Sequence, residues 1–404
     1  SVLIKSCKYG HFNLKNRYLC TNTLPSTRLI CHPIMHINRN IPFVVKAAVL
    51  LLLLCCSSCA PRKGYVTITG YAQGGTYAVK FNMDGVSQKP EEIRDSVEAI
   101  LHRIDFSLSG YNKNSLLSRF NAGETVTPDS LFADIYSHAY KFWEETGGLV
   151  DAASAPLFDL WGFGFKSGEM PSDEVVTRTV KESGMKRLRA DIRSAVGEDG
   201  TLEPSDLLLD ELSGNASLSE TAVAPKLNYN AIAQGYSCDL VAAYLYSLGV
   251  KDMMVDIGEI YCDGVNPSGQ RWTIGIDRPV DGNNELGADI QGIFRVPAGP
   301  HGVVTSGNYR KFYVRDGRKY AHTIDPQTGY PVSHSLLSAT VLASDAMTAD
   351  AYATYCMVIG LDAARAFIES RPDLEACLIY DSDGAFATWC SSGFSLETAA
   401  TSRL

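Results

Sequence analysis

The sequence predicts an α+β domain, with mixed or antiparallel sheets and packed helices, lying behind a targeting segment. Three observations lead there. Strand and helix patterns follow one another without regular βαβ alternation. Neither a repeat nor a Pro-rich linker divides the body of the chain. An apolar run with a basic flank stands near the N-terminus.

Reading forward, Met35 is followed by His36, Arg39 and Lys46, then by ten apolar residues from Ala47 to Cys56 and by Ser57, Ser58 and Cys59. That is the basic, apolar, small-residue order of a signal peptide. The run is shorter than the roughly 20 residues a membrane-spanning helix needs. Residues 1–34 are expected to be upstream sequence, 35–58 the signal peptide, 59–64 a tether and 65–404 the catalytic domain. Ser57-Ser58-Cys59 resembles a bacterial lipobox, which implies lipidation at Cys59 and an exported, membrane-anchored lipoprotein facing the periplasm.

Period-2 alternation from Tyr65, with Gly74-Gly75 before Thr76 to Phe81, predicts a hairpin. Pro90 opens a helix with Ile93, Val97, Ile100, Leu101 and Ile104 on one face. A second helix is expected over 129–145, stopped by Gly147-Gly148. Over 187–226 the pattern fades into charged, Gly and Ser residues, and a variable insertion of hairpin or loop is expected. A helix over 231–248, strands over 253–257 and 272–276 and a hairpin turning at Asp316-Gly317 follow. The strand 336–343 and helices over 345–359 and 362–369 close the pattern.

Residues 1–58 hold seven of the 36 Lys and Arg and no Asp or Glu, leaving 29 basic against 45 acidic groups, a net charge of −16, on the remainder. So acidic a body excludes nonspecific nucleic-acid binding, which needs cations against phosphates. Of the eleven cysteines, Cys238, Cys262, Cys356, Cys377 and Cys390 lie beyond Cys59 and form no CxxC pair, which leaves a zinc site unsupported and one isolated bridge open.

Four segments are able to carry chemistry. Asp350 and Thr354 are four apart, so on a helix they share a face and offer two hard oxygens of the kind Mg²⁺ takes. The same spacing is common on any helix, where Asp345 would be an N-cap and Asp350 a surface residue. Thr305-Ser306-Gly307-Asn308-Tyr309-Arg310-Lys311 joins hydroxyls, a Gly and two cations, as a phosphate-holding Gly turn does, but a solvated turn before a strand reads the same way. His322, before Asp325-Pro326-Gln327-Thr328-Gly329-Tyr330-Pro331, stands at the mouth of a fixed irregular loop and could act as acid, base or phosphate donor. Asn228-Tyr229-Asn230-Ala231 leads into a helix whose first N–H groups suit an anion, with Asn230 as a plain N-cap the alternative.

Taken in order, these segments resemble the ApbE family of FAD:protein FMN transferases. The match runs from Gly74-Gly75-Thr76 through Ser109-Gly110-Tyr111 and Phe120-Asn121 to Gly148-Leu149-Val150-Asp151 and Trp161-Gly162-Phe163. It ends in His322-x-Ile324-Asp325-Pro326-x-Thr328-Gly329 and Ala349-Asp350-Ala351-x-Ala353-Thr354. The resemblance implies FAD as substrate, Mg²⁺ as cofactor, and transfer of FMN to a Thr or Ser hydroxyl with AMP leaving. The implied acceptor is a flavoprotein subunit of a membrane redox complex or a secreted reductase. Asp350, Thr354 and the Ala231 carbonyl are the implied metal ligands, and His322 and Asp350 the implied catalytic residues. Gly74, Tyr111, Asp151, Asn228, Gln234, Ser306, Gly307 and His322 are the implied flavin-nucleotide contacts. Three of these depart from the commonest family pattern: Gly74 for Met, Asn228 for Asp and Gln234 for Lys. An FAD pyrophosphatase and a non-catalytic flavin-binding lipoprotein are the rival readings.

Overall fold

The computed structural model describes residues 64–398, apart from 164–169, 210–223, 282, 284–286, 288, 310–311 and 316–317. The expected signal peptide, Cys59, Arg310-Lys311 and the expected turn at Asp316-Gly317 therefore lie outside the described residues. Those described belong to one compact unit, and none of their helices is long and apolar enough to cross a membrane.

The chain begins with the hairpin of β1 (Tyr65–Ala72) and β2 (Gly75–Asn82). Its two-residue turn holds Gln73 at φ 51° and Gly74 at φ 83°, the doubly left-handed geometry that matches the strands' own twist. Helices α1 (Pro90–Leu108), α2 (Leu116–Asn121) and α3 (Ser130–Glu145) follow, the last capped by Asp129, whose carboxylate accepts from Phe132 N. Two further helices, α4 (Ala155–Leu160) and α5 (Asp173–Glu182), were not expected from periodicity.

Of the two forms expected for the stretch from Arg187, hairpin or loop, the described residues take the loop. As far as Leu209 it is a chain of short 3-10 turns, tied by single bridges between Leu188 and Leu208 and between Val126 and Leu202. Leu188, Ile192, Leu202, Leu207 and Leu208 are all buried in the main core. These apolar residues, spaced irregularly among charges, anchor it, which no helix or strand period would reveal.

Helix α6 (Ala233–Ser247) leads to β3 (Met253–Asp256), β4 (Ile260–Asp263), β5 (Thr273–Asp277), β6 (Ile290–Arg295) and β7 (His301–Gly307). The β8 (Phe312–Arg315) and β9 (Arg318–Ala321) hairpin, β10 (Leu336–Ala343), α7 (Ala346–Ile359), α8 (Leu361–Glu369), β11 (Glu375–Ser382), β12 (Ala385–Cys390) and β13 (Leu396–Thr398) complete the order. Eight strands form one sheet in the order β1-β2-β3-β4-β7-β10-β11-β12, antiparallel at every pairing. Strands β13, β6 and β5 make a second sheet and β8 and β9 a third.

Both faces of the large sheet's centre are covered. Along β7, Val304 enters the helical core while its neighbour Val303 enters a second core shared with β5 and β6; along β11, Leu378 and Cys377 divide the same way. This two-sided cover explains why β10 is a nearly unbroken apolar run rather than an alternating one. Full burial of each such side chain contributes about 1.5–3 kcal/mol.

Candidate functional site

The site is built where α7 is pressed between β7 and α6. Asp345 starts α7, its carboxylate accepting from Thr348 N at 2.7 Å, and Gly360, at φ 79°, ends it. Helix α7 is buried nearly all round, so its sequence has no polar face, and the close approach depends on two glycines. A Cβ on Gly235 of α6 would lie 2.3 Å from the Ala346 carbonyl oxygen, and one on Gly302 of β7 would lie 2.4 Å from Ala346 N. No residue with a side chain fits at either position without moving the helix.

This approach brings Asp350 to the start of α6. Ile232, the N-cap of α6, makes no side-chain cap bond, and the Gly235 N–H instead donates to Asp350 Oδ2 at 3.1 Å. Asp350 is only 4% exposed. Burial, with the nearby Asp239 carboxylate adding to it and the Gly235 bond opposing it, pushes its pKa up to about 7. One turn on, Thr354 Oγ1 lies 3.5 Å from Ser306 Oγ. The surface alternative for Asp350 is thus overturned, and Asp345 is indeed an N-cap.

Asp239 went unnoticed in the sequence. Its Oδ1 accepts from Ala346 N at 2.8 Å and its Oδ2 from Met347 N at 2.9 Å, so it caps the helix that carries Asp350. Burial raises its pKa to about 7, against the two N–H bonds. Its spacing four residues after Gly235, on one helical face, was the available signal.

The predicted phosphate turn at 305–307 is corrected: Thr305, Ser306 and Gly307 end β7, paired with Thr340, Ala339 and Ser338 of β10. The segment is strand along β10, and Thr305 N donates to Glu259 Oε2 at 3.3 Å, so Ser306 can offer its hydroxyl but the segment is no Gly turn. Gly307 leaves room for the Tyr309 ring, which a Cβ would meet at 2.6 Å.

Around this centre, Gln234 Nε2 donates to the Ile257 carbonyl at 3.3 Å over Gly258, where a Cβ would sit 2.4 Å from that nitrogen. Gly74 is held near α6 through its neighbour, since Gln73 Nε2 donates to Ser237 Oγ. Asn228 Oδ1 accepts from Asn230 N at 2.9 Å, so Asn228 organises this loop and Asn230 is not an N-cap; Ala231 follows, two residues before the helix begins. Asn228 N donates to Ala152 O at 2.7 Å, which joins this loop to Asp151.

Asp151 is less available than expected for a ligand contact. Its carboxylate accepts from Ala153 N at 2.8 Å and from Met185 N at 3.0 and 3.1 Å, and burial, opposed by those bonds, raises its pKa to about 6. Tyr111 is 68% exposed in the loop after α1, its N–H bonded to Ser109 Oγ.

His322 follows β9, on an element separate from α6 and α7. Its ring meets Phe163 edge-on at 6.5 Å, beside a run of stacked rings from Phe163 through Tyr313 and Tyr320 to Trp161. The loop after it is fixed as expected. Asp325 Oδ1 accepts from Gln327 N and Thr328 N, Trp161 Nε1 donates to Gly329 O at 2.7 Å, and Gln327 Nε2 donates to Gly147 O at 2.7 Å.

Among the described residues no group of three or more His, Cys, Asp and Glu could hold a metal ion. The donors gathered at α7 are of another kind, one buried carboxylate beside hydroxyls, which suits a hard cation that keeps waters and substrate oxygens in its shell. Such a centre at a helix N-terminus has the chemistry to receive an anionic group beside a hard cation.

Comparison with known proteins narrows the class. The ApbE family profile matches residues 73–378. A Haemophilus influenzae FAD:protein FMN transferase is 33% identical over 344 residues, 84% of this chain and 93% of its own length. The Escherichia coli K12 protein of the same name is 30% identical over 359 residues, covering 86% and 94%. Among solved structures, the Pseudomonas stutzeri flavinyl transferase ApbE in its apo form aligns with a TM-score of 0.66 at 30% identity, over 81% of this chain and 95% of that one. The Vibrio cholerae flavin transferase ApbE aligns at 0.64 and 28%, over 81% and 97%. The chain belongs to the ApbE family and is a transferase enzyme.

Proposed function

We propose that this protein is a Mg²⁺-dependent FAD:protein FMN transferase, which moves the FMN half of FAD to a Thr or Ser hydroxyl of a target flavoprotein and releases AMP. The observation that carries the reading is the buried Asp350, with Thr354 one turn on, held at the first N–H groups of α6 in a chain similar over most of its length to transferases of that name.

In the proposed reaction the acceptor oxygen bonds to the FMN phosphorus, the bridging P–O bond breaks and AMP leaves with the bridging oxygen. Asp350, Thr354 and the Ala231 carbonyl would hold Mg²⁺, and two facts support the fit. Asp350 is a buried carboxylate near the half-buried Asp239 carboxylate, a pair whose repulsion a cation relieves. The oxygen-only donor set is also what Mg²⁺ prefers. When bound, the ion supplies charge stabilisation for the oxygens of the transferring phosphoryl group. Ser306, beside Thr354, would orient a phosphate oxygen, Gln234 would offer an amide to the nucleotide, and His322 would accept the acceptor hydroxyl's proton. The His322 ring rests edge-on against Phe163, before a loop fixed by its own hydrogen bonds.

The protein's setting is part of the same proposal: a periplasm-facing lipoprotein anchored through Cys59, with a flavoprotein of a membrane redox complex or a secreted reductase as acceptor. Support comes from the order of basic, apolar and small residues before Cys59.

The test is incubation with FAD and Mg²⁺, with and without an acceptor carrying a Thr-ending flavinylation motif, following AMP and acceptor mass. Acceptor gaining one FMN with matching AMP is the expected result. AMP and free FMN with an unmodified acceptor would establish a pyrophosphatase instead, and bound but uncleaved FAD a binding protein.

A further inference from the structure

We infer that Cys377 and Cys390 form a disulfide that staples the edge strand β12 to β11. The two cysteines are register partners across this antiparallel pair, and their Sγ atoms lie 2.9 Å apart as free thiols. The register also decides the pair type. Ser391 N donates to Ala376 O at 2.9 Å, so Ala376 and Ser391 form a hydrogen-bonded pair. Pair types alternate along an antiparallel ladder, which makes Cys377 and Cys390 a non-hydrogen-bonded pair, with Cα atoms about 4.5 Å apart. That spacing falls inside the range a disulfide spans, so the bond can close without shifting either strand.

The two thiols have unequal access. Cys377 is buried in the core between the large sheet and the β5, β6, β13 sheet, whereas Cys390 is partly exposed on the last strand of the large sheet. Cys390, the more accessible of the two, is the attacking thiol once deprotonated. Its sulfur attacks a disulfide donor such as glutathione disulfide or an oxidised thiol-oxidoreductase, expelling one donor thiolate and leaving a mixed disulfide. Cys377 Sγ, losing its proton to solvent, then attacks the Cys390 sulfur and expels the second donor thiolate. Two electrons pass to the donor, and the chain loses two hydrogens.

The bond is independent of the transferase reading, because neither FAD nor metal takes part. The full chain is incubated with glutathione disulfide, denatured, alkylated and digested. Cys377 and Cys390 should both escape alkylation in a peptide about 2 Da lighter than its dithiol form, with Tm several degrees higher than in the reduced protein. In Cys390→Ser, Cys377 should become fully alkylated and the Tm gain should vanish, with flavin transfer unchanged. Alkylation of both cysteines after oxidation, or a persistent glutathione adduct on Cys390 beside a free Cys377, would overturn the assignment.

Discussion

Asp239 and Asp350 are exchanged between two helices: Asp350 of α7 accepts from the third residue of α6, and Asp239 of α6 accepts from the first two residues of α7. Each helix thus supplies the acceptor that the other's N-terminus lacks. The proposed metal ligand is therefore aligned by the same contact that holds the helices together.

Replacing Asp239 with Asn keeps the shape but leaves an amide N–H group facing a backbone N–H. A charge-assisted bond of about 1.5–3 kcal/mol is lost, Tm falls, and half-saturation with Mg²⁺ moves severalfold upward. Thermal melts with and without Mg²⁺ measure both; an unchanged Mg²⁺ dependence would remove Asp239 from the positioning of Asp350.

At Gly235 even a methyl group is too large. Gly235→Ala should cost about 1–3 kcal/mol through overpacking against Ala346, and turnover should fall further than stability because Asp350 moves with α7. Denaturant titration and steady-state rates on the same preparation separate the two effects.

Asp350→Asn should abolish Mg²⁺-dependent turnover while the fold persists, since the amide oxygen can still accept from Gly235 N. In the wild type, a carboxyl titrating at about 7 makes protons compete with the cation. Mg²⁺ affinity should weaken roughly tenfold between pH 8 and pH 6, and binding should release a proton. Calorimetry in two buffers of different ionisation enthalpy reads that proton directly.

Asp151 gives a pH signature of its own. Its folded pKa of about 6 exceeds the ordinary carboxylate value, so the native state binds the extra proton. Its contribution to stability is complete below about pH 4 and is lost as pH rises through about 6. Asp151→Asn should flatten that part of the stability profile; an unchanged slope would mean the carboxyl titrates normally.

How much could be read in advance depended on local chemistry. The helices bounded by Asp129 and by Asp345 and Gly360 were legible because caps and stops are written in single residues. Helix α5 carried a comparable signal, Pro171-Ser172 before Asp173-Glu174, but only Val176 in it is fully buried, so no apolar face announced it. Ser306 and Gly307 looked like a turn because a central strand that lends a hydroxyl to a site shares a turn's composition. Asp350 and Thr354 were legible as a pair, whereas the burial of Asp350 and its partnership with Asp239 depend on residues more than a hundred positions apart, which spacing on one helix does not encode.

The order of the large sheet also bears on how the protein comes into being. Its strands lie side by side in the sequence in which they are synthesised, from β1 at one edge to β12 at the other. One junction is long-range: β2 meets β3 with Ala78 opposite Asp256, across the whole helical segment, so the first hairpin waits for that segment before the sheet can extend. The helix bearing Asp350 and Thr354 arrives only after β10, and a nascent or truncated chain lacking it would own most of the scaffold without either proposed side-chain metal ligand. Activity then has to wait until that late helix has been made.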